Sequence, residues 1–141
     1  MASGVYNQFK TALMNGTYAL AADTIKVILL NNSHTFDPDT LGYSNVSANE
    51  LATAGGYTAG GATLGSVTIT QDNTDDEGVF DALDTAWAGA TFTAYHAAMY
   101  DDTPVSPADP LMVSIDFGGA QAVSAGTFTI VWAAEGIINI G

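Results

Sequence analysis

The strand signal that decides the fold class lies in residues 91–100, TFTAYHAAMY. Even-numbered side chains, from Phe92 to Tyr100, fall on one face of an extended chain, and odd-numbered side chains, from Thr91 to Met99, fall on the other. A period of two sustained over this whole stretch predicts a β-strand. The same periodicity recurs on both sides of it along the chain.

Towards the N-terminus, residues 24–31, TIKVILLN, carry aliphatic side chains on both faces, which predicts a central strand covered on both sides. Towards the C-terminus, residues 111–117 alternate again, and Gly118-Gly119 is predicted to turn the chain. Further short strands are predicted in residues 62–70, 79–82, 122–133 and 136–140. Six to eight such strands predict a mainly β fold, an antiparallel β-sandwich or barrel.

The N-terminus departs from this period. Apolar residues at helical spacing, among them Phe9, predict a short helix within residues 1–16, capped at Ser3 and closed at Gly16. Residues 32–61 are rich in Asn, Ser, Asp, Thr and Gly and predict a long excursion, in which Ser47 to Glu50 has the S-x-x-E form of a capping box. Residues 1–141 are therefore predicted to form a single β domain.

Charge is the most unusual bulk property. Fifteen acidic residues face two basic ones, giving a formal net charge of −13, and the chain has no cysteine. A field of this sign repels phosphate backbones and anionic lipids, so we expect no nucleic-acid partner and no membrane partner. An acidic mimic that sequesters a basic partner remains an alternative.

Few residue types suited to catalysis are present. His34, in a polar stretch, is predicted to be a solvated loop residue, and His96 a hydrogen-bonded histidine of the sheet. The chain has no G-x-S-x-G nucleophile motif, and the glycine-rich run in residues 55–61 lacks the lysine of a phosphate-binding loop. We therefore predict no catalytic residue, no cofactor and no enzymatic activity.

One acidic loop has the oxygen ligands that calcium prefers. Asp72, Asp75, Asp76 and Glu77 lie close together before Gly78, although their spacing does not match an EF-hand. A solvated acidic turn is the favoured interpretation, and a weak divalent-cation site is the alternative.

Several motifs together resemble a known family. They are LMNG at 13–16, DTIKVIL at 23–29, GGYTAGGATL at 55–64, FDA at 80–82 with Trp87, LMVSIDFGG at 111–119 and AGTFTI at 125–130. In this order they resemble a family of small virion structural proteins of tailed bacteriophages, over nearly the full length of the chain. The GYTAGGATL run is the most specific of these motifs.

The resemblance implies a non-enzymatic component of the phage particle. The expected role is a capsid decoration, or cement, protein on the capsid surface, made in the host cytoplasm. Its expected partners are the major capsid protein and copies of itself, in a homotrimer. The alternative is a head-fibre or tail-associated module that binds a receptor or glycan, with stacking on Tyr43, Tyr57, Trp87 and Tyr95.

Candidate contacts with the capsid or with a neighbouring copy lie in the two segments that a minimal sandwich does not need. These are the N-terminal segment and the excursion, and the candidate residues are Tyr6, Phe9, Lys10, Tyr43 and Tyr57. The alternative, given equal weight, is that both segments simply cover the sheet.

Overall fold

A computed structural model describes residues 3–141 as two antiparallel sheets and one short helix. The elements are β1 (Gly4–Val5), α1 (Asn7–Asn15), β2 (Ile25–Leu30), β3 (Ala62–Thr63), β4 (Thr68–Asp72), β5 (Glu77–Asp81), β6 (Thr85–Asp101), β7 (Leu111–Ile130) and β8 (Ile138–Ile140). The large sheet has the order β1-β7-β6-β2-β3, and the small sheet has the order β4-β5-β8. This confirms the mainly β class and its sandwich-like form, and the sheets of residues 3–141 do not close into a barrel.

The aliphatic strand β2 is an interior strand, as predicted. It pairs with β6 on one side and β3 on the other. Ile25, Val27 and Leu29 enter the main core between the sheets, whereas Ile28 and Leu30 enter a second cluster on the opposite face. Both faces are buried because the second sheet covers one and the N-terminal segment with the excursion covers the other.

Strands β6 and β7 are longer than the sequence pattern predicts. The turn predicted at Gly118-Gly119 is wrong, because β7 continues through it, and β6 likewise continues through Gly89. Register is lost between the pairs Ala94–Gln121 and His96–Asp116, where the glycines take positive φ angles of 76° and 151°. Glycine here permits a bulge, which bends a strand without ending it.

The bend in β7 is large. An extended strand advances roughly 3.3 Å per residue, so the eleven steps from Phe117 to Phe128 would span roughly 36 Å if straight. The two ring centroids are 6.1 Å apart. The distal halves of β6 and β7 therefore fold back over the core, and Trp87 and Phe92 meet Phe128 there.

The N-terminal helix begins later than predicted. It starts at Asn7 with Tyr6 as its N-cap, and Ser3 instead accepts a hydrogen bond from the Asp116 backbone N–H at 2.9 Å. Its predicted end is confirmed, because Gly16 adopts the left-handed conformation with φ 69°. Residues 1 and 2 of the predicted segment lie outside the described residues.

The excursion runs back along β2. Leu30 bridges Glu50, and the Leu51 N–H donates to the Leu29 carbonyl oxygen at 3.0 Å. Residues Ser47–Asn49 form only one 3₁₀ turn without a side-chain cap, so the predicted capping box is wrong. Glu50 has different partners, which are described below.

Gly61 provides a test of how closely the excursion approaches β2. Its φ is 81°, and a Cβ there would collide with the Val27 carbonyl oxygen. We expect Gly61→Ala to lower the free energy of unfolding by more than about 3 kcal/mol, because left-handed strain and a backbone clash add. Urea unfolding followed by circular dichroism measures this loss.

Gly89→Ala is the matched control, because Gly89 also has a positive φ of 60° but a Cβ added there would meet no atom within 4 Å. Strain alone should cost about 1 kcal/mol there. Equal losses in the two variants would contradict the close approach of residue 61 to β2.

Candidate functional site

Three of the five predicted contact residues are buried within the chain. Tyr6 lies in the second core cluster, and Phe9 and Tyr57 lie in the main core. Lys10 is exposed, and Tyr43 is half-buried. The prediction of partner contacts is therefore corrected for Tyr6, Phe9 and Tyr57, because packing against their own sheets leaves these side chains no surface for a partner.

Glu50 holds the excursion in place. Its carboxylate accepts hydrogen bonds from the hydroxyls of Tyr43 and Tyr57, both at 2.6 Å, and from the Gly60 backbone N–H at 2.7 Å. The Tyr57 hydroxyl also accepts a bond from the Leu29 backbone N–H in β2 at 3.1 Å. This Glu50 clamp, comprising Glu50, Tyr43, Tyr57 and Gly60, joins the middle of the excursion to its C-terminal end and, through Tyr57, to the large sheet.

Both phenols of the Glu50 clamp stay protonated at neutral pH. Burial, followed by the hydrogen bond and charge of Glu50, raises the pKa of Tyr43 to about 12. The same causes raise the pKa of Tyr57 further. Each hydroxyl is thus a permanent donor to the carboxylate, and the clamp is a structural device. The sequence pattern did not predict the Glu50 clamp, because Ser47 to Glu50 resembles a helix cap.

The two histidines of the chain meet beside the large sheet. His34 is buried, so its prediction as a solvated loop residue is wrong: its Nε2 lies 3.1 Å from the Ser114 hydroxyl, and its ring lies 5.2 Å from that of His96. Burial, and then the neighbouring His96, lowers the pKa of His34. His96 lies in β6, with Nδ1 3.6 Å from the Asp116 carboxylate. These contacts tie the loop after β2 to β6 and β7.

One carboxyl group is buried at the end of β6. Asp101 accepts a hydrogen bond from the Thr103 backbone N–H at 2.9 Å. Burial raises the pKa of Asp101 to about 7, and the neighbouring Asp23 carboxyl contributes to the increase. The site is closed to solvent, so we assign Asp101 to the pH dependence of folding.

The acidic loop is a turn. The Asp72 carboxylate accepts hydrogen bonds from the backbone N–H groups of Thr74, at 2.7 Å, and Asp75, at 3.3 Å, and these bonds lower the pKa of Asp72. Asp76 has a left-handed φ of 57°. Among residues 3–141, no three His, Asp or Glu side chains gather as a metal site. Asp72, Asp75, Asp76 and Glu77 thus receive no support as cation ligands.

The aromatic residues expected to stack on a glycan are mostly unable to do so. Tyr57 and Trp87 are buried, and Tyr43 is held by the Glu50 clamp. A different set, Phe117, Phe128 and Trp132, lines an open groove of about 520 Å³ between β7 and residues 131–137.

A second groove, the α1–β8 groove, lies between the helix and the last strand. Its volume is about 560 Å³, and its lining residues include Val5, Lys10, Leu13, Met14, Ile138 and Ile140. Met14 and Ile140 are exposed apolar side chains. Apolar surface of this kind on a folded chain marks an interaction site more often than a catalytic one.

Comparison of the chain with protein-family models, with curated proteins and with solved structures found no match. No helix within residues 3–141 has the length and apolar character needed to cross a bilayer. Fold and site together define a two-sheet β protein whose buried polar groups fasten loops to sheets and whose apolar grooves lie open at the surface.

Glu50→Gln tests the clamp. The amide group cannot accept hydrogen bonds at both of its ends, so one tyrosine hydroxyl loses its acceptor. We expect the free energy of unfolding to fall by about 1–3 kcal/mol, the usual contribution of a hydrogen bond to a charged group. Urea unfolding at pH 7 measures the change. Glu135→Gln, at an exposed position, is the control and should change stability by less than about 0.5 kcal/mol. Equal effects would contradict the clamp.

Asp101→Asn tests the buried carboxyl. Because the folded state raises the pKa of Asp101 from 3.8 to about 7, the stability that the protonated group contributes is full below pH 4 and is lost as the pH rises to 7. Asn cannot ionise, so the variant should gain stability relative to the wild type between pH 5 and pH 8. We expect a gain of at least about 1 kcal/mol.

Urea unfolding at several pH values measures this difference, in which the titration of groups that do not interact with Asp101 cancels. Asp75→Asn, at an exposed position, removes the same charge and should show no such trend. A stability difference between Asp101→Asn and wild type that stays constant with pH would rule out the proposed titration.

Proposed function

We propose that the chain is a non-enzymatic structural protein of a bacteriophage particle and that it acts as a capsid decoration protein stabilising the head. The observation that carries the proposal is the Glu50 clamp, which makes a long polar excursion into a fixed surface. A decoration protein needs such a surface, because it binds the same shell contact many times over. The motif resemblance supplies the phage context.

The energetics of decoration suit a rigid scaffold. A protein that binds only the assembled shell stabilises the shell by mass action. When several binding sites are linked in one oligomer, the effective concentration of each further site raises the overall affinity for the shell. Rigid loops lose little conformational entropy on binding. The polar contacts of His34 and Glu50 reduce that cost in the excursion, which follows β2.

The shell-facing surface that we propose lies where the excursion meets the β6–β7 loop. The Tyr43 N–H donates to the Asp109 carbonyl oxygen at 2.9 Å, and the Leu111 N–H donates to the Leu41 carbonyl oxygen at 3.0 Å. These bonds join two loops that carry Leu41, 59% exposed, and Val105, 89% exposed. Exposed aliphatic side chains on fixed loops are typical of a contact surface.

The proposed partners are the major capsid protein and further copies of this chain in a homotrimer. A net charge of −13 favours a shell surface that is less acidic than the chain. Closed symmetry would let each copy strengthen the hold of the others on the shell.

The test uses purified heads of the phage that encodes the chain, stripped of this protein. The double variant Leu41→Ser, Val105→Ser should bind these heads at least about tenfold more weakly than wild type, because two apolar contacts are lost. Leu83→Ser, 62% exposed on another loop, is the control and should bind as wild type. Co-sedimentation measures binding, and mass spectrometry counts copies in intact particles.

Hundreds of copies per particle are expected of a shell protein. A handful of copies located on the tail would overturn the decoration role. That result would favour the alternative, a head-fibre or tail-associated module that binds a receptor or glycan. The partly buried Phe117, Phe128 and Trp132 along the first groove are the observation in its favour.

A further inference from the structure

Both outer strands of the small sheet have an open edge. Within residues 3–141, β4 and β8 each pair only with β5, which lies between them. An open edge presents backbone N–H and C=O groups that accept another strand. The small sheet can therefore be extended on either side.

An apolar row crosses this sheet. Ile69 in β4 pairs with Phe80 in β5, and Phe80 pairs with Ile138 in β8, so the three side chains lie on one face. Phe80 and Ile138 belong to the main core, whereas Ile69 at the open edge is 49% exposed. The row thus ends in an exposed isoleucine on one side.

On its other side, the row ends at the α1–β8 groove. Ile138 and Ile140 form one wall of this groove of about 560 Å³, and Leu13 and Met14 form the opposite wall. A strand added to the open edge of β8 would place its inward side chain beside Ile138, inside the groove. The groove therefore fits a β-strand with an apolar residue at that register.

Strand direction and apolar complementarity favour a second copy of this chain as the occupant. Strands β4 and β8 both run antiparallel to β5, so they run parallel to each other. A second copy rotated about an axis that lies along the strands therefore presents its β4 parallel to β8 of the first copy. The β4 edge presents the exposed Ile69, while the β8 edge borders an apolar groove. The two edges of one chain thus carry complementary apolar surfaces.

We propose that β4 of one copy pairs with β8 of the next, with Ile69 entering the α1–β8 groove, and that repetition of this contact closes a ring. A head-to-tail contact of this kind closes into a ring when its rotation permits. The inference deepens the proposed self-association by naming its two surfaces. It makes no use of Leu41 or Val105, so shell binding and self-association can fail separately.

The experiment compares the wild type with Ile69→Lys and Ile140→Lys by sedimentation velocity at about 0.15 M salt, where charge repulsion is screened beyond about 8 Å. Each variant blocks one edge and should weaken self-association at least about tenfold. Both substitutions also reduce the net negative charge, so weaker association cannot arise from greater overall repulsion between copies. Ile69→Thr adds no charge beside Lys10, so it separates lost packing from local repulsion. Leu83→Lys carries the same charge change at an exposed loop outside both proposed surfaces and should associate as wild type.

The decisive step mixes the two edge variants. Ile69→Lys keeps an open β8 edge, and Ile140→Lys keeps an open β4 edge, so the mixture should form one-to-one dimers that neither variant forms alone. Circular dichroism and urea unfolding check that each variant is folded. Ile69→Thr is a smaller change and should give an intermediate loss of self-association. A monomeric wild type, undiminished association of either variant, or a mixture without dimers would each overturn the proposal. Shell binding by a monomer would leave the proposed function intact.

Discussion

The pairing of β6 with β7 is the constraint on which the rest of the structure depends. The two strands pair from Thr85–Ile130 to Tyr100–Leu111, and their proximal halves form the centre of the large sheet. Their distal halves fold back at the Gly118-Gly119 bulge. Trp87 and Phe128 are thereby brought over the same core that Phe80 and Ile138 of the small sheet enter. A straight ribbon would leave these aromatic side chains in solvent.

The large sheet has a second face, and the polar segments of the chain are what cover it. Tyr6, from the N-terminal segment, packs with Ile28, Leu30 and Leu111, and the Glu50 clamp holds the excursion against β2. A segment rich in Asn, Ser and Gly can close a core because its few large side chains supply the apolar area. Its backbone and one carboxylate meanwhile satisfy the buried polar groups.

Sequence periodicity predicted those features that are local. It located β2 and the middle of β6, and it placed the end of α1 at Gly16, because alternation and a left-handed glycine are properties of neighbouring residues. It could not locate the bulge at Gly118, since a glycine pair is equally compatible with a turn. The burial of His34 depends on Ser114, eighty residues away, and no pattern near His34 signals that partner.

The difference between local patterns and distant contacts also explains why the predicted contact residues were partly wrong. Tyr6, Phe9 and Tyr57 were predicted as contacts because they lie in segments that a minimal sandwich does not need, yet their size makes them the residues that such a segment buries. The surface left to a partner consists of smaller aliphatic side chains and backbone edges. Of the two lysines, Lys26 is engaged with Asp102 at 2.7 Å, whereas Lys10 is exposed at the α1–β8 groove. Asn139 of the same groove is bonded to Glu77 at 2.6 Å, so one lysine leaves this side of the sandwich with little net charge. Shape and backbone pairing must therefore supply most of any binding free energy there.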